Sequence, residues 1–126
     1  QEPVEFMAGD LSFISLKLVV PVLKECIEKN GDMVMLIKPQ FEAGKQALNK
    51  KGIVKDKKDH IRVLDELLHF FEDTGLQVKD LKPSSIKGGD GNIEYLVWLE
   101  NSATEVSFLN GINLRNFVDD VFEQYK

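Results

Sequence analysis

The stretch MVMLIKP, residues 33–39, decides the fold. It opens with five consecutive apolar residues and no polar alternation, a pattern typical of a parallel strand that is covered on both faces. The run stops at Lys38, and Pro39 favours an extended backbone at that residue. VEFMA, residues 4–8, is a second short run that is apolar apart from Glu5. The two runs predict two buried strands of one sheet.

Helical and strand patterns alternate along the rest of the chain. Apolar residues at helical spacing in HIRVLDELLHFFEDTG predict an amphipathic helix that Gly75 closes. Other patterns predict a helix over residues 18–27 ending at Asn30-Gly31, strands over 76–81 and 93–99, and a helix over 113–125. The order implies an α/β fold with a mainly parallel, helix-covered sheet and a final antiparallel hairpin strand.

Length and composition restrict the class of protein. The chain has 126 residues, of which 43% are hydrophobic and 29% charged, as in an ordinary single globular domain. No apolar run approaches the roughly 20 residues of a membrane span, so we expect no membrane insertion. The start, QEPVEF, has neither an initiator Met nor a signal pattern, and we expect that the native beginning is missing.

A local basic patch stands out against the net charge of −5. On composition alone we expect a solvated, mobile loop, because the overall charge argues against nonspecific binding to a polyanion. The patch comprises Lys45, Lys50, Lys51, Lys55, Lys57, Lys58 and Arg62.

Cysteine and histidine give no sign of a metal centre. Cys26 has no partner for a disulfide within the chain, as is usual in a reducing cytoplasm. His60 and His69 have no companions at metal-ligand spacing. We therefore expect no metal, and exposed or capping roles for both histidines.

Three charged residues are predicted to meet at one edge of the sheet. Asp10 and Lys38 follow the first two strands, and Glu94 begins the strand that returns from the hairpin. Ligands of open α/β sheets bind outside the carboxyl ends of the parallel strands. The predicted topology therefore places these side chains together in a candidate site.

The residues around this site carry a resemblance to a known family. GDLSFISL, IKPQFEAGK and PSSIKGGDGNIEYL resemble the FtsJ-like methyltransferase domain of the TlyA (hemolysin A) family, in the family's order and with its loop lengths. These are S-adenosylmethionine-dependent ribosomal RNA 2′-O-methyltransferases. The resemblance implies a Rossmann-like class I methyltransferase fold, a cytoplasmic location, and ribosomal RNA or ribosomal subunits as partners, with cytidine as the favoured nucleotide.

The resemblance also implies roles for particular residues. Asp10, Lys38 and Glu94 match three members of the family's Lys-Asp-Lys-Glu tetrad, and Lys38 is the candidate base for the ribose hydroxyl or the group that positions it. Asp10, Ser12 and Phe13 would border the cofactor, although core packing is an equal alternative for Phe13. Ser15 is expected to cap the following helix. The basic patch would contact RNA phosphates.

Parts of the family pattern have no counterpart in this sequence. They are the first Lys of the tetrad, the Gly-rich cofactor loop and the S4-type RNA-binding domain. We therefore expect residues 1–100 to form the second half of the methyltransferase domain, residues 101–126 to be an extension whose helix packs on it, and the isolated piece to be inactive. The alternatives are a membrane-active hemolysin, a non-catalytic folded remnant and an RNA-binding module. The sequence does not define the oligomeric state.

Overall fold

A computed structural model of the chain describes residues 4–9, 15–84, 91–103 and 106–124. Four strands and four α-helices are present in this part of the chain, with short 3-10 turns at Lys45–Ala47 and Phe108–Asn110. The elements in chain order are β1 (Val4–Gly9), α1 (Leu16–Lys24), β2 (Ile27–Ile37), α2 (Pro39–Glu42), α3 (Lys57–Asp73), β3 (Gln77–Pro83), β4 (Tyr95–Glu100) and α4 (Leu114–Gln124).

The described strands form one sheet in the order β1-β2-β4-β3. β1 pairs with β2 in parallel, whereas β4 is antiparallel to both β2 and β3. β1, β2 and β3 therefore share one direction, as predicted, and the returning strand β4 lies between β2 and β3. This insertion brings the start of β4 directly beside the end of β2.

The core lies between one face of the sheet and the helices. Buried side chains alternate along β2 and β4 with less buried ones, which is the period expected of a sheet with one packed face. α1, α3 and α4 contribute to the same buried cluster. On the other face Leu96 and Trp98 are exposed, so in the described part the helices cover one face only. Among the described residues, no helix is long and apolar enough to cross a membrane.

The first helix and second strand differ from the sequence prediction. α1 begins at Leu16, after the Ser15 cap, and ends at Lys24, with Pro21 inside the helix. Asn30-Gly31 does not stop a helix but lies within β2, where Asn30 has a positive φ of 66°. The β1–β2 register shifts between Val4 and Phe6, opposite this point. The Asn-Gly pair thus supplies a left-handed residue to an irregularity in the strand.

Candidate active site

Lys38 and Glu94 lie at the same edge of the sheet. Ile37 at the end of β2 pairs with Tyr95 at the start of β4, so the next residues outward, Lys38 and Glu94, lie directly beyond the last pair of this antiparallel ladder. β3 ends at this edge as well, where the Ser84 N–H donates to the backbone carbonyl of Glu94 at 2.8 Å. The structure therefore brings these two predicted residues together.

Three other residues predicted for this edge lie outside the part of the chain that the structure describes. Asp10, Ser12 and Phe13 lie outside the described residues, as does most of the Gly-rich segment. Gly9, the last described residue of β1, pairs with Met35 in β2. The places of Asp10, Ser12 and Phe13 at the site remain predictions.

The short helix α2 begins directly after Lys38 and carries the side chain that holds Glu94. Lys38 is extended (φ −113°, ψ 98°) and Pro39 begins the helix, as the Lys-Pro sequence predicts. Gln40 Nε2 donates to Glu94 Oε2 at 2.7 Å, and the Glu94 side chain is buried. Gln40 Oε1 is also buried and has no hydrogen-bond partner within the described part of the chain. Within the described part of the chain, the Gln40 side-chain amide therefore forms its hydrogen bond with Glu94.

Glu42, at the other end of α2, caps helix α1. Its Oε1 accepts from Ser15 Oγ at 2.6 Å and its Oε2 accepts from the Leu16 N–H at 2.8 Å. Ser15 in turn accepts from the Lys17 N–H, which confirms the predicted N-cap. Burial raises the pKa of the Glu42 carboxyl, while the two hydrogen bonds and the charge of Lys17 oppose that rise. One four-residue helix thus contacts both Glu94 and the start of α1.

The prediction of an exposed or capping role for His60 is wrong, because this side chain is fully buried beneath the edge. Its Nε2 lies 2.8 Å from the Val54 carbonyl and its Nδ1 lies 2.8 Å from the Tyr95 hydroxyl. A carbonyl can only accept, so Nε2 carries the proton and the Tyr95 O–H donates to Nδ1 when the ring is neutral. Desolvation lowers the pKa of His60, which favours this neutral form.

Four of the seven residues of the basic patch lie in helical elements and not in a loop: Lys45 begins the 3-10 turn at Lys45–Ala47, and Lys57, Lys58 and Arg62 belong to α3. Lys57 pairs with Asp119 at 3.3 Å and lies over the Phe122 ring, and Arg62 donates to the Ala43 carbonyl and contacts Asp59. These two cations are therefore engaged with the protein itself. All seven members of the patch are exposed, and the other five are Lys45, Lys50, Lys51, Lys55 and Lys58.

Gln40, Glu42 and His60 are the site residues that the sequence analysis missed. His60 had a detectable signal, because it shares the helical spacing of Leu64, Leu67 and Phe71, all buried. Gln40 and Glu42 had none, since their partners lie 54 and 27 residues away along the chain. Among the described residues, no group of three or more His, Cys, Asp and Glu side chains could hold a metal ion.

The fold and the site define the class. An α/β sheet with charged side chains at the carboxyl ends of its parallel strands is typical of proteins that bind a ligand at that edge. The chain belongs to the FtsJ-like methyltransferase family, whose model matches residues 1–101.

Individual relatives agree with this membership. "Putative rRNA methyltransferase YqxC" of Bacillus subtilis (strain 168) is 48% identical over 95 residues, covering 75% of this chain and 34% of that protein. "16S/23S rRNA (cytidine-2'-O)-methyltransferase TlyA" of Mycobacterium tuberculosis (strain CDC 1551 / Oshkosh) is 34% identical over 109 residues, covering 86% and 41%. A solved "putative hemolysin from Lactococcus lactis" is 37% identical with a TM-score of 0.84, covering 97% of this chain and 58% of that one.

The chain is shorter than these relatives. It spans 34% of the Bacillus protein and 41% of the mycobacterial one.

Proposed function

We propose that this chain carries the catalytic edge of an S-adenosylmethionine-dependent enzyme that methylates a ribose 2′-hydroxyl of cytidine in ribosomal RNA. The observation that carries the proposal is that Lys38 lies beside Glu94 at the carboxyl edge of the sheet. Glu94 is buried there and accepts a hydrogen bond from the Gln40 side-chain amide. The names of the relatives supply the substrate and the reaction class. A ribosomal substrate implies a reaction in the cytoplasm.

The residues present at the edge fit a polar ligand. Gln40 Oε1 is a buried acceptor without a described partner, and such atoms are rare in native proteins unless a ligand or another group satisfies them. Asp10, Ser12 and Phe13 are the residues that we propose to border the cofactor. When bound, S-adenosylmethionine supplies a methyl group on a positively charged sulfur, which leaves as a neutral thioether.

Lys38 and Glu94 would act on the acceptor. Lys38 is the candidate base that would accept the proton of the 2′-hydroxyl as an O–C bond forms and the C–S bond of the methyl donor breaks. Glu94, held by Gln40, would orient Lys38 or the hydroxyl. Alignment of the hydroxyl with the methyl group lowers the activation barrier by up to about 7–11 kcal/mol in favourable cases. Lys38 could therefore contribute to catalysis by positioning the hydroxyl, without accepting its proton.

Five of the seven exposed residues of the basic patch would bind the RNA backbone. Lys45, Lys50, Lys51, Lys55 and Lys58 are exposed, and ammonium groups bind phosphates without reading sequence. Lys57 and Arg62 already have acidic partners at 3.3 Å, so we expect them to contribute less to RNA binding than the other five.

The test uses the full-length protein that contains this chain, purified ribosomal subunits and methyl-labelled S-adenosylmethionine. We expect label in RNA that survives alkali as a dinucleotide, because a methylated 2′-oxygen cannot assist strand cleavage, with cytidine on its 5′ side. Label released as a base-methylated mononucleotide would overturn the 2′-oxygen assignment. Absence of label on both subunits would overturn the ribosomal substrate.

A further inference from the structure

The exposed turn of the basic patch is attached to the segment that carries Glu94. This basic turn, residues 49–55, includes Lys50, Lys51 and Lys55, and it closes on itself through Asn49, whose side chain accepts from the Lys51 and Ile53 N–H groups. A bridge between Leu48 and Val54 completes it. The turn therefore has a defined internal conformation as well as external attachments.

Asn92 forms the first attachment. Its Oδ1 accepts from the Val54 N–H at 3.1 Å and its Nδ2 donates to the Gly52 carbonyl at 3.0 Å. The Asn92 side chain is only 2% exposed, and Glu94 follows it closely in the chain. A buried amide that uses both its donor and its acceptor on one turn fixes the position of that turn.

His60 and Tyr95 form the second attachment. His60 Nε2 donates to the Val54 carbonyl at 2.8 Å, and its Nδ1 is bound to the Tyr95 hydroxyl at 2.8 Å. The Val54 N–H thus donates to Asn92, and the Val54 carbonyl accepts from His60. Asn92 and Tyr95 flank Glu94 on either side, so both attachments reach the same short segment.

We propose that Asn92 is a positioning residue that holds the basic turn at a fixed place beside Glu94, so that an RNA backbone bound by the turn presents its ribose to the catalytic edge. This inference rests on the proposed function. The phosphate contacts belong to Lys50, Lys51 and Lys55, whereas Asn92 acts through the backbone of the turn. Binding and alignment therefore depend on different side chains and can be separated by mutation.

The experiment compares Asn92→Ala with the double variant Lys50→Ala/Lys51→Ala in the full-length protein. Binding to a short labelled oligocytidine is measured by anisotropy over a range of salt concentrations, and kcat and KM are measured for methyl transfer to ribosomal subunits. The stoichiometry of oligocytidine binding gives the folded fraction, to which kcat is normalised. Tyr95→Phe, which removes one hydroxyl, is the second variant should Asn92→Ala fail to fold.

The two variants are expected to fail differently. The double lysine variant should raise KM, retain kcat, and reduce the slope of log K against log salt by about 1.4, which is roughly 0.7 per phosphate contact on a single strand. Asn92→Ala should retain the salt slope and keep KM within about threefold, yet lower normalised kcat at least tenfold, because a displacement of about 1 Å can cost 10²-fold. Tyr95→Phe should lower kcat about threefold in the same manner.

An unchanged normalised kcat in Asn92→Ala, or a loss expressed wholly in KM, would overturn the proposal. If the wild-type protein transfers no methyl group, the proposed function fails, and the position of the turn is then judged by deuterium uptake of residues 49–55. Uptake at least tenfold faster in Asn92→Ala supports the attachment, and unchanged uptake refutes it.

Discussion

At the scale of single residues, the orientation of Glu94 depends on Gln40. A carboxylate accepts hydrogen bonds and offers none, so the amide must present its Nε2 to Glu94, as it does at 2.7 Å. Gln40 Oε1 is buried without a described partner. The hydrogen bond to Glu94 is therefore the main interaction that offsets the cost of burying this amide. Gln40 is therefore expected to matter for the site more than for the stability of the fold.

Gln40→Met tests this dependence, since methionine keeps the length of the side chain and has no N–H. Loss of a hydrogen bond to a buried charged group costs about 1–3 kcal/mol, so we expect methyl transfer to slow roughly 5- to 150-fold. Gln46→Met, at an exposed glutamine near the end of α2, is the matched control and should leave the rate unchanged. Equal rates for the two variants would contradict the role of Gln40.

Glu42 gives a prediction about pH. Burial raises the pKa of this carboxyl above its usual 4.5, so the folded protein binds the proton more tightly than the unfolded chain does. The stability gained in this way is fully present below about pH 4.5 and is lost as the pH rises through the raised value.

Glu42→Gln removes this titration and can keep one acceptor for the start of α1. We expect the free energy of unfolding of the wild type, taken relative to Glu42→Gln, to fall as the pH is raised from 4.5 towards 7. Denaturant unfolding at several pH values measures it. A difference between the wild type and Glu42→Gln that stays constant over this pH range would show that the Glu42 carboxyl does not titrate as described.

At the scale of elements, the sequence predicts the type of each helix and strand better than its ends. The continuous apolar run of β2 and the helical spacing of α3 are local signals, and both elements formed where those signals lie. The prediction that β2 is covered on both faces is wrong, because in the described part of the chain its side chains alternate in burial and the helices cover one face. Asn30-Gly31 is a signal for a residue with left-handed backbone conformation. Such a residue occurs both at the end of a helix and at an irregularity in a strand. Only the pairing with β1 and the bonds of Asn30 and Gly31 to Asn101 distinguish the two cases, and that information is not local.

Gly31→Ala tests the irregularity in β2. A Cβ at Gly31 would lie 2.9 Å from the backbone oxygens of Glu28 and Glu5, and backbone cannot move aside as a flexible side chain can. We expect a loss of about 1–3 kcal/mol in the free energy of unfolding. Gly111→Ala is the control, because its Cβ would meet nothing closer than 3.8 Å, and it should change stability by less than about 0.5 kcal/mol. Equal effects would indicate that the β1–β2 contact is loosely packed.

At the scale of the whole molecule, the candidate site is produced by topology. Lys38 and Glu94 are far apart in sequence, and the insertion of β4 between β2 and β3 makes them neighbours. The predicted alternation of strands and helices was sufficient to place both at one edge. It could not predict the supporting contacts of Gln40, Glu42 and Asn92, because each depends on side-chain packing between elements distant in the chain.

The role of Lys38 is tested most directly by the rate of a single turnover in the full-length protein, with RNA and S-adenosylmethionine already bound, for Lys38→Ala against Lys29→Ala. Lys29 is an exposed lysine at the other end of β2, so its variant controls for the loss of one charge from the same strand. Removal of a general base or of its positioning is expected to lower the rate about 10²–10⁴-fold. We expect that loss for Lys38→Ala and a wild-type rate for Lys29→Ala. A Lys38→Ala enzyme that transfers methyl at the wild-type rate would contradict this role of Lys38.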